Sequence, residues 1–467
     1  SKVLTFIIHL VTGYYFNRLI EPEFHGNVGL AMSFTSLVNL IWSLELSSLL
    51  IRVKAKDNRV LSTAFWAAFG MSSFLSILFI ALSGVFTELV DGSPDVRKYI
   101  ILFSLTFFIF PLGLVPTVKL KQSLKFDLIG IVNFFAKILG ILGALVLAIL
   151  GEKFWSLFVL FGSYAVLMPV FKFIARPWLP SFQFDGAFLK QHAIFNGSLM
   201  FNKISGWLTE NLDKQLVGKF WGEAALGGYN KAIGFLLMPK TYLVVSISDV
   251  LFPALSAENI DEQEKQKRFL DASALVTFLL FPLFFVLAAL AQPFTYFYFP
   301  EEWDRPTIQW LIVVFSAAGL FSIFNPMFFT VLMSKSKPKF LFNVLLVKRI
   351  VLIAGILATF KFGLIALAFG KLGSEIIAFL INLFIGKKEL AISRSQFVRS
   401  MLAGLLCSLI AAIAAYTLSY FLNGHTSYLI NFLACGCLSV VVYFGISPWL
   451  NPSGWRFFRN FIANWNE

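Results

Sequence analysis

The sequence predicts an all-α polytopic membrane protein of about fourteen transmembrane helices. It is expected to form two six-helix lobes related as parallel repeats, with two further helices at the C-terminal end. Three observations carry that prediction. Of 467 residues, 58% are hydrophobic and only 13% are charged, where soluble chains carry roughly 25% charged residues. Apolar runs of about 20 residues, the length that crosses a bilayer, recur along the whole chain. Lys and Arg fall mainly in alternate loops between those runs. Soluble domains of this total length have far more surface than so few charges can cover. The same composition excludes intrinsic disorder, a collagen-like repeat and a disulfide scaffold.

The first run covers residues 1–20. It ends in Phe16-Asn17-Arg18 with no small-residue cleavage site, and reads as a membrane helix rather than a signal peptide. Runs at 28–51, 62–86, 98–118, 128–150 and 154–175 complete a first lobe, residues 1–176. Arg176-Pro177-Trp178-Leu179-Pro180 opens a polar linker, 177–192. The second lobe, 193–386, holds runs at 193–217, 229–255, 269–292, 306–333, 340–361 and 364–386. Within it, Glu258 to Arg268 mixes both charge signs and reads as a short solvated amphipathic helix. Runs at 398–422 and 426–448 lie in the last segment, 387–467, ahead of a cytoplasmic tail. Pro111, Pro116, Pro239, Pro253, Pro282 and Pro326 interrupt apolar runs and predict kinks.

With the N-terminus inside, the inner loops and tails hold 23 Lys and Arg and the outer loops 8. The positive-inside rule therefore places both termini in the cytoplasm. It also accounts for the net charge of +13. No basic, aromatic-interleaved stretch lies outside an apolar context, so no nucleic-acid partner is expected. Gly26, Ala31 and Ser47 match Gly227, Ala232 and Ser248 at a constant offset of 201; Arg59 matches Arg268, and Lys125-Phe126 matches Lys339-Phe340 at growing offsets. Six helices per copy is an even number, so two such copies share one orientation, the parallel-repeat arrangement of transporters.

Charges at bilayer depth are costly and usually face a cavity or a partner. Near helix midpoints the chain carries Lys137, Lys203, Lys240, Lys348, Arg349 and Lys371, against Glu210 and Glu375. A cavity with that surplus favours an anionic ligand such as a phosphate. Lys137, Lys348 and Arg349 lie too far from predicted ends to snorkel easily. Lys371 and Glu375 stand at i, i+4, where they can simply neutralise each other. Lys203, Glu210 and Lys214 share one helix face, either a wet stripe or a Glu210–Lys214 pair near the outer surface. Asp213 and Glu45 lie nearer predicted ends and read as cap or interfacial groups. Glu210, Asp213 and Glu375 are the candidate coupling or gating acids.

Catalytic and metal motifs are scarce. There is no G-x-x-x-x-G-K-[ST], no G-x-S-x-G and no H-E-x-x-H. His9, His25, His192 and His425 are scattered, and Cys407, Cys435 and Cys437 lie in apolar runs without neighbouring His. Asn196-Gly197-Ser198 matches a glycosylation triplet at membrane depth and carries no meaning there. No cofactor or metal is expected. Transport without an ATP site draws on a coupling ion (Na⁺ or H⁺), the membrane potential or the substrate's own gradient.

The stretch Asp213-Lys214-Gln215-Leu216-Val217-Gly218-Lys219-Phe220-Trp221-Gly222-Glu223-Ala224-Ala225-Leu226-Gly227-Gly228-Tyr229-Asn230-Lys231-Ala232 resembles the central signature of bacterial polysaccharide exporters of the Wzx type. The resemblance continues through Leu251-Phe252-Pro253-Ala254-Leu255-Ser256, through Arg18-Leu19-Ile20-Glu21-Pro22-Glu23-Phe24 with Gly26 and Ala31, and through Ser62-Thr63-Ala64-Phe65-Trp66. His25 stands where the family pattern joins Phe directly to Gly. The branch most similar is the colanic-acid and teichuronic-acid exporters, within the multidrug/oligosaccharidyl-lipid/polysaccharide superfamily. The resemblance implies fourteen helices, a V-shaped pair of lobes, alternating access and residence in the bacterial cytoplasmic membrane. It implies an undecaprenyl-diphosphate-linked oligosaccharide as substrate, contact with membrane lipids, and polysaccharide polymerase and glycosyltransferases as partners. An ion-coupled multidrug or cation antiporter and a membrane-embedded glycan-processing enzyme are the alternatives. The first calls for acids at midplane, the second for a large outer loop or clustered acids and His.

Overall fold

A computed structural model describes the backbone of residues 2–43, 46–256, 260–335, 338–450, 454–455 and 459, with side chains for these except 2–7, 191–202 and 338–339. Glu45 and Glu258 lie outside the described residues, as do the side chains of His192, Asn196 and Lys339. Every described regular element is helical. In chain order they are α1 (Lys2–Leu19), α2 (Pro22–Ile41), α3 (Leu46–Arg52), α4 (Asn58–Ala81), α5 (Ser83–Leu89), α6 (Pro94–Thr106), α7 (Leu114–Gln122), α8 (Phe126–Ile149), α9 (Lys153–Ala175), α10 (Gly186–Pro239), α11 (Val245–Ser256), α12 (Glu262–Ala289), α13 (Ala291–Tyr298), α14 (Arg305–Ser322), α15 (Phe324–Ser334), α16 (Pro338–Thr359), α17 (Leu364–Leu390), α18 (Arg394–Leu422) and α19 (Tyr428–Leu450).

Eleven described stretches are long and apolar enough to cross a membrane, and the bent pair α6–α7 supplies a twelfth. The fourteen expected segments also include α1 and treat the two sides of the Gly222 break separately, so the expected count holds only approximately. Large apolar side chains such as Ile77, Val146, Leu380 and Val441 are exposed on helix exteriors. So much outward apolar surface suits lipid, not water.

The prolines bend the chain as their chemistry requires. Pro111 sits in a 3₁₀ turn, Phe110–Gly113, and α6 meets α7 at 42° across it. Pro239 precedes a π-helical turn, Lys240–Val244. Asp261 caps α12 by accepting from the Glu264 N–H, and Ser393 and Gln396 form a capping box on α18. The charged segment ending at Arg268 is thus not a separate helix. Its described part is the first turns of α12, laced by Glu262–Lys265, Glu264–Arg268 and Glu262–Lys335 ion pairs.

The chain divides into two compact units, Thr12–Gly228 and Ser1–Val11 with Tyr229–Glu467. In the first, α8 packs on α9 and α2 on α6; in the second, α12 packs on α18, α18 on α19, and α16 on α17. Residues 176–185 are not a loose linker. Ser181 bonds Ser62, its carbonyl accepts from the Trp66 indole at 2.9 Å, and the Asp185 N–H donates to Thr63 at 2.8 Å. α10 then runs from Gly186 through the expected loop at 218–228, broken only at Gly222, where φ is 81°. Only glycine adopts that backbone without strain.

Small residues set the closest helix contacts, as in membrane packing generally. A Cβ on Gly26 would lie 1.8 Å from the Glu223 carbonyl oxygen, and a Cβ on Gly227 would lie 2.3 Å from the Pro22 carbonyl oxygen. The contact is reciprocal under the 201-residue offset, which pairs Pro22 with Glu223 and Gly26 with Gly227.

Candidate functional site

α16 and α17 cross at Gly355 and Gly370, where an added Cβ on either would meet the other's carbonyl within 2.7 Å. This close crossing brings the middle of α16 against α17, and α15 packs against both. Asn325 and Phe329 of α15, Lys348 and Arg349 of α16, and Ser374 and Glu375 of α17 line a cavity of about 190 Å³. That is room for roughly six waters, and less than the ~300–1,000 Å³ of a site enclosing a drug-sized ligand. It has room for a phosphate head.

One hydrogen-bonded network organises the polar wall. The Lys348 ammonium donates to Asn325 Oδ1 at 3.2 Å and to Asn382 Oδ1. Asn382 Nδ2 donates to Asn325 Oδ1 at 2.9 Å, and Asn325 Nδ2 donates to Glu375 Oε2 at 2.9 Å. An ammonium and a carboxylate are thus joined through two amides. Asn382 is fully buried, so these bonds replace its water. Two of the three Lys348 protons are used, which leaves one for a ligand in the cavity. Lys240, in the π-helical turn after Pro239, and Glu375 both lie within electrostatic range of Lys348.

Lys240, Lys348, Arg349, Lys371 and Glu375 all belong to one unit, and three of them line this cavity. Lys371 stands half-buried one turn from Glu375, whose described hydrogen bond comes from Asn325. Lys137, Lys203, Glu210 and Asp213 belong to the other unit. Lys137 is half-buried on α8, while Lys203 and Glu210 are exposed on α10. Asp213 is not at a helix end. It lies deep in α10 and is fully buried, because the helix continues to Gly222. Lys214 donates to Asn211 at 3.2 Å. Asn325 and Asn382 were not singled out from the sequence. The available signal was an amide inside an apolar run, which is weaker than a charge because its burial is cheaper.

The signature residues have structural work. Glu223 accepts from the Ser93 N–H at 2.7 Å, Gly227 meets Pro22, and Lys231 stands 5.9 Å from the Trp303 ring centre. Among the described residues no group of three or more His, Cys, Asp or Glu is placed to hold a metal.

Fold and site define a multi-pass α-helical membrane protein with a net cationic cavity in one of its units. The chain belongs to the polysaccharide biosynthesis protein family, whose sequence profile matches residues 16–308. It is 24% identical over 418 residues to the lipopolysaccharide biosynthesis protein WzxC of Escherichia coli K12, an alignment covering 87% of this chain and 83% of that one. Among solved structures, the lipid II flippase MurJ in an inward closed conformation matches with a TM-score of 0.75 at 17% identity, covering 99% of both chains. An inward-facing multidrug resistance MATE transporter of the MOP superfamily matches with a TM-score of 0.62 at 15% identity, over 82% of this chain and 94% of that one. The resemblance carried by Asp213–Ala232 and Arg18–Phe24 is thereby borne out.

Proposed function

We propose that this protein is a flippase that moves a lipid-linked oligosaccharide, with undecaprenyl diphosphate as carrier, across the bacterial cytoplasmic membrane for surface-polysaccharide synthesis. The observation that carries the reading is the Lys348–Arg349 cavity. It is small, net positive, and set among apolar helices, which suits a diphosphate head. Arg binds phosphate in a fork, and Lys binds it as a point charge. Family membership and the MurJ-like fold support the same reading. The polyprenyl tail stays in lipid while the chain alternates between inward-open and outward-open states.

In this reading Lys240 and Lys371 reinforce the field at the cavity, and Lys137 and Lys203 are further candidate contacts for the substrate. Glu375, with Asn325 beside it, is the acid best placed for coupling to H⁺ or Na⁺. Glu210 and Asp213 are secondary candidates. The repeat lobes 1–176 and 193–386, joined by 177–192 and followed by 387–467, are the proposed moving parts, with both termini cytoplasmic. Polymerase and glycosyltransferases are the proposed partners. A cation antiporter of the same fold would need surplus acid in its cavity, and this cavity has surplus base. The role is transport, not catalysis. Reconstitution into vesicles with a fluorescent undecaprenyl-diphosphate oligosaccharide tests this: the substrate should appear in the opposite leaflet only with protein. Protein-dependent movement of cationic dyes instead would favour the antiporter.

A further inference from the structure

A second cationic cluster lies at the ends of α7 and α9, which the positive-inside count assigns to the cytoplasm. Lys119 and Lys121 occupy the last turn of α7; Lys172 occupies the last turn of α9, and Arg176 is its C-cap. The two helices pack together. Lys121 lies within repulsive range of Lys172, and Arg176 of Lys119. From the sequence these are ordinary inner-loop charges. The structure buries one of them: Lys172 is 7% exposed.

A lysine side chain buried to this degree normally has a hydrogen-bond or ion-pair partner. Lys172 has none: no described residue gives it a hydrogen bond or an ion pair, and none of the other three has a carboxylate partner. Lys119 has only a ring, Trp178, 5.7 Å away. That indole is fixed, because it donates to Asn58 at 2.8 Å within the docked segment that follows α9. The alternative is that these cations merely offset the helix dipoles. Two helix C-termini supply roughly half a negative charge each. Against them stand four cations, which leaves a surplus of about three positive charges.

We propose that Lys119, Lys121, Lys172 and Arg176 form a second anion site that takes a phosphate-bearing group. The diphosphate head of a polyprenyl carrier and the phosphate of an anionic membrane lipid share the chemistry it recognises. Lys172 is the buried anchor, and the exposed Lys121 and Arg176 close over the ligand. The site does not depend on the flippase reading.

The test uses the full chain in detergent carrying Lys348→Gln and Arg349→Gln, so that the other cavity contributes nothing. Binding of inorganic pyrophosphate, short-chain phosphatidylglycerol and short-chain phosphatidylcholine is measured by calorimetry. Saturable binding of pyrophosphate or phosphatidylglycerol, but not phosphatidylcholine, is expected. Which of the two binds tells a carrier head from a lipid phosphate. Lys172→Gln should weaken binding about tenfold or more, the loss of one charge-assisted bond. Lys121→Gln, a surface change that leaves the fold intact, should weaken it several-fold. No binding by the background protein, or binding that both substitutions leave unchanged, overturns the site. A loss of thermal stability in Lys172→Gln with no loss of binding assigns the cluster to the helix dipoles instead.

Discussion

Lys348 is a lysine in an apolar helix whose charge is supported by two amides and, through one of them, a carboxylate. Removing one amide tests that dependence. Asn382→Ala should weaken diphosphate binding by roughly 10–100-fold, since hydrogen bonds to charged groups contribute ~1.5–3 kcal/mol; titration of purified protein with pyrophosphate reads this. The charge doublet was legible in the sequence because ionised groups inside a 20-residue apolar run stand out at once. Asn325 and Asn382 were not, because an amide in such a run is cheap, and their meeting depends on the rotation of α15 and α17. A different residue gives a pH signature. Burial pushes the Glu21 carboxyl up, but the hydrogen bond from Lys153, the local backbone and the Lys153 charge outweigh it, so it sits below its ordinary 4.5. The depressed value means that this contribution is complete above about pH 4.5 and is lost as pH falls through the folded-state value. The pair is partly exposed, so the contribution is below ~1 kcal/mol. Melting curves between pH 3 and 6 should fall more steeply for the wild type than for Glu21→Gln.

At the scale of elements, glycine crossings fix where helices meet. Gly227→Ala and Gly26→Ala force a side chain against a backbone carbonyl that cannot move aside. Each should cost ~1–3 kcal/mol, the usual penalty of overpacking. Gly436→Ala, with no atom within 4 Å of the new methyl, should leave the melting temperature in detergent near the wild-type value. The signature glycines were legible because Gly26 and Gly227 stand at the same offset as their neighbours, and each packs against backbone near the other. The boundary of α10 was not legible. Lys219 and Glu223 look like loop residues in one dimension, yet they lie on a helix broken by a single residue. Likewise the sequence shows a polar linker at 177–192, and only the fold reveals Ser62, Thr63 and Trp66 bonded to its first part.

At the scale of the molecule, composition and charge alternation were enough for the membrane class, because the bilayer admits so few solutions. They could not say which buried cations share a cavity. Three of the predicted site residues do, and they sit where an anion of phosphate size fits. On the proposed function, this cavity holds the diphosphate during transport. The measurement that tests it most directly compares leaflet transfer of a fluorescent undecaprenyl-diphosphate oligosaccharide in vesicles holding equal amounts of folded wild type or of Lys348→Gln/Arg349→Gln. Transfer by the wild type and a rate at the protein-free background for the variant are expected. Transfer by the variant at the wild-type rate would contradict that role of the cavity.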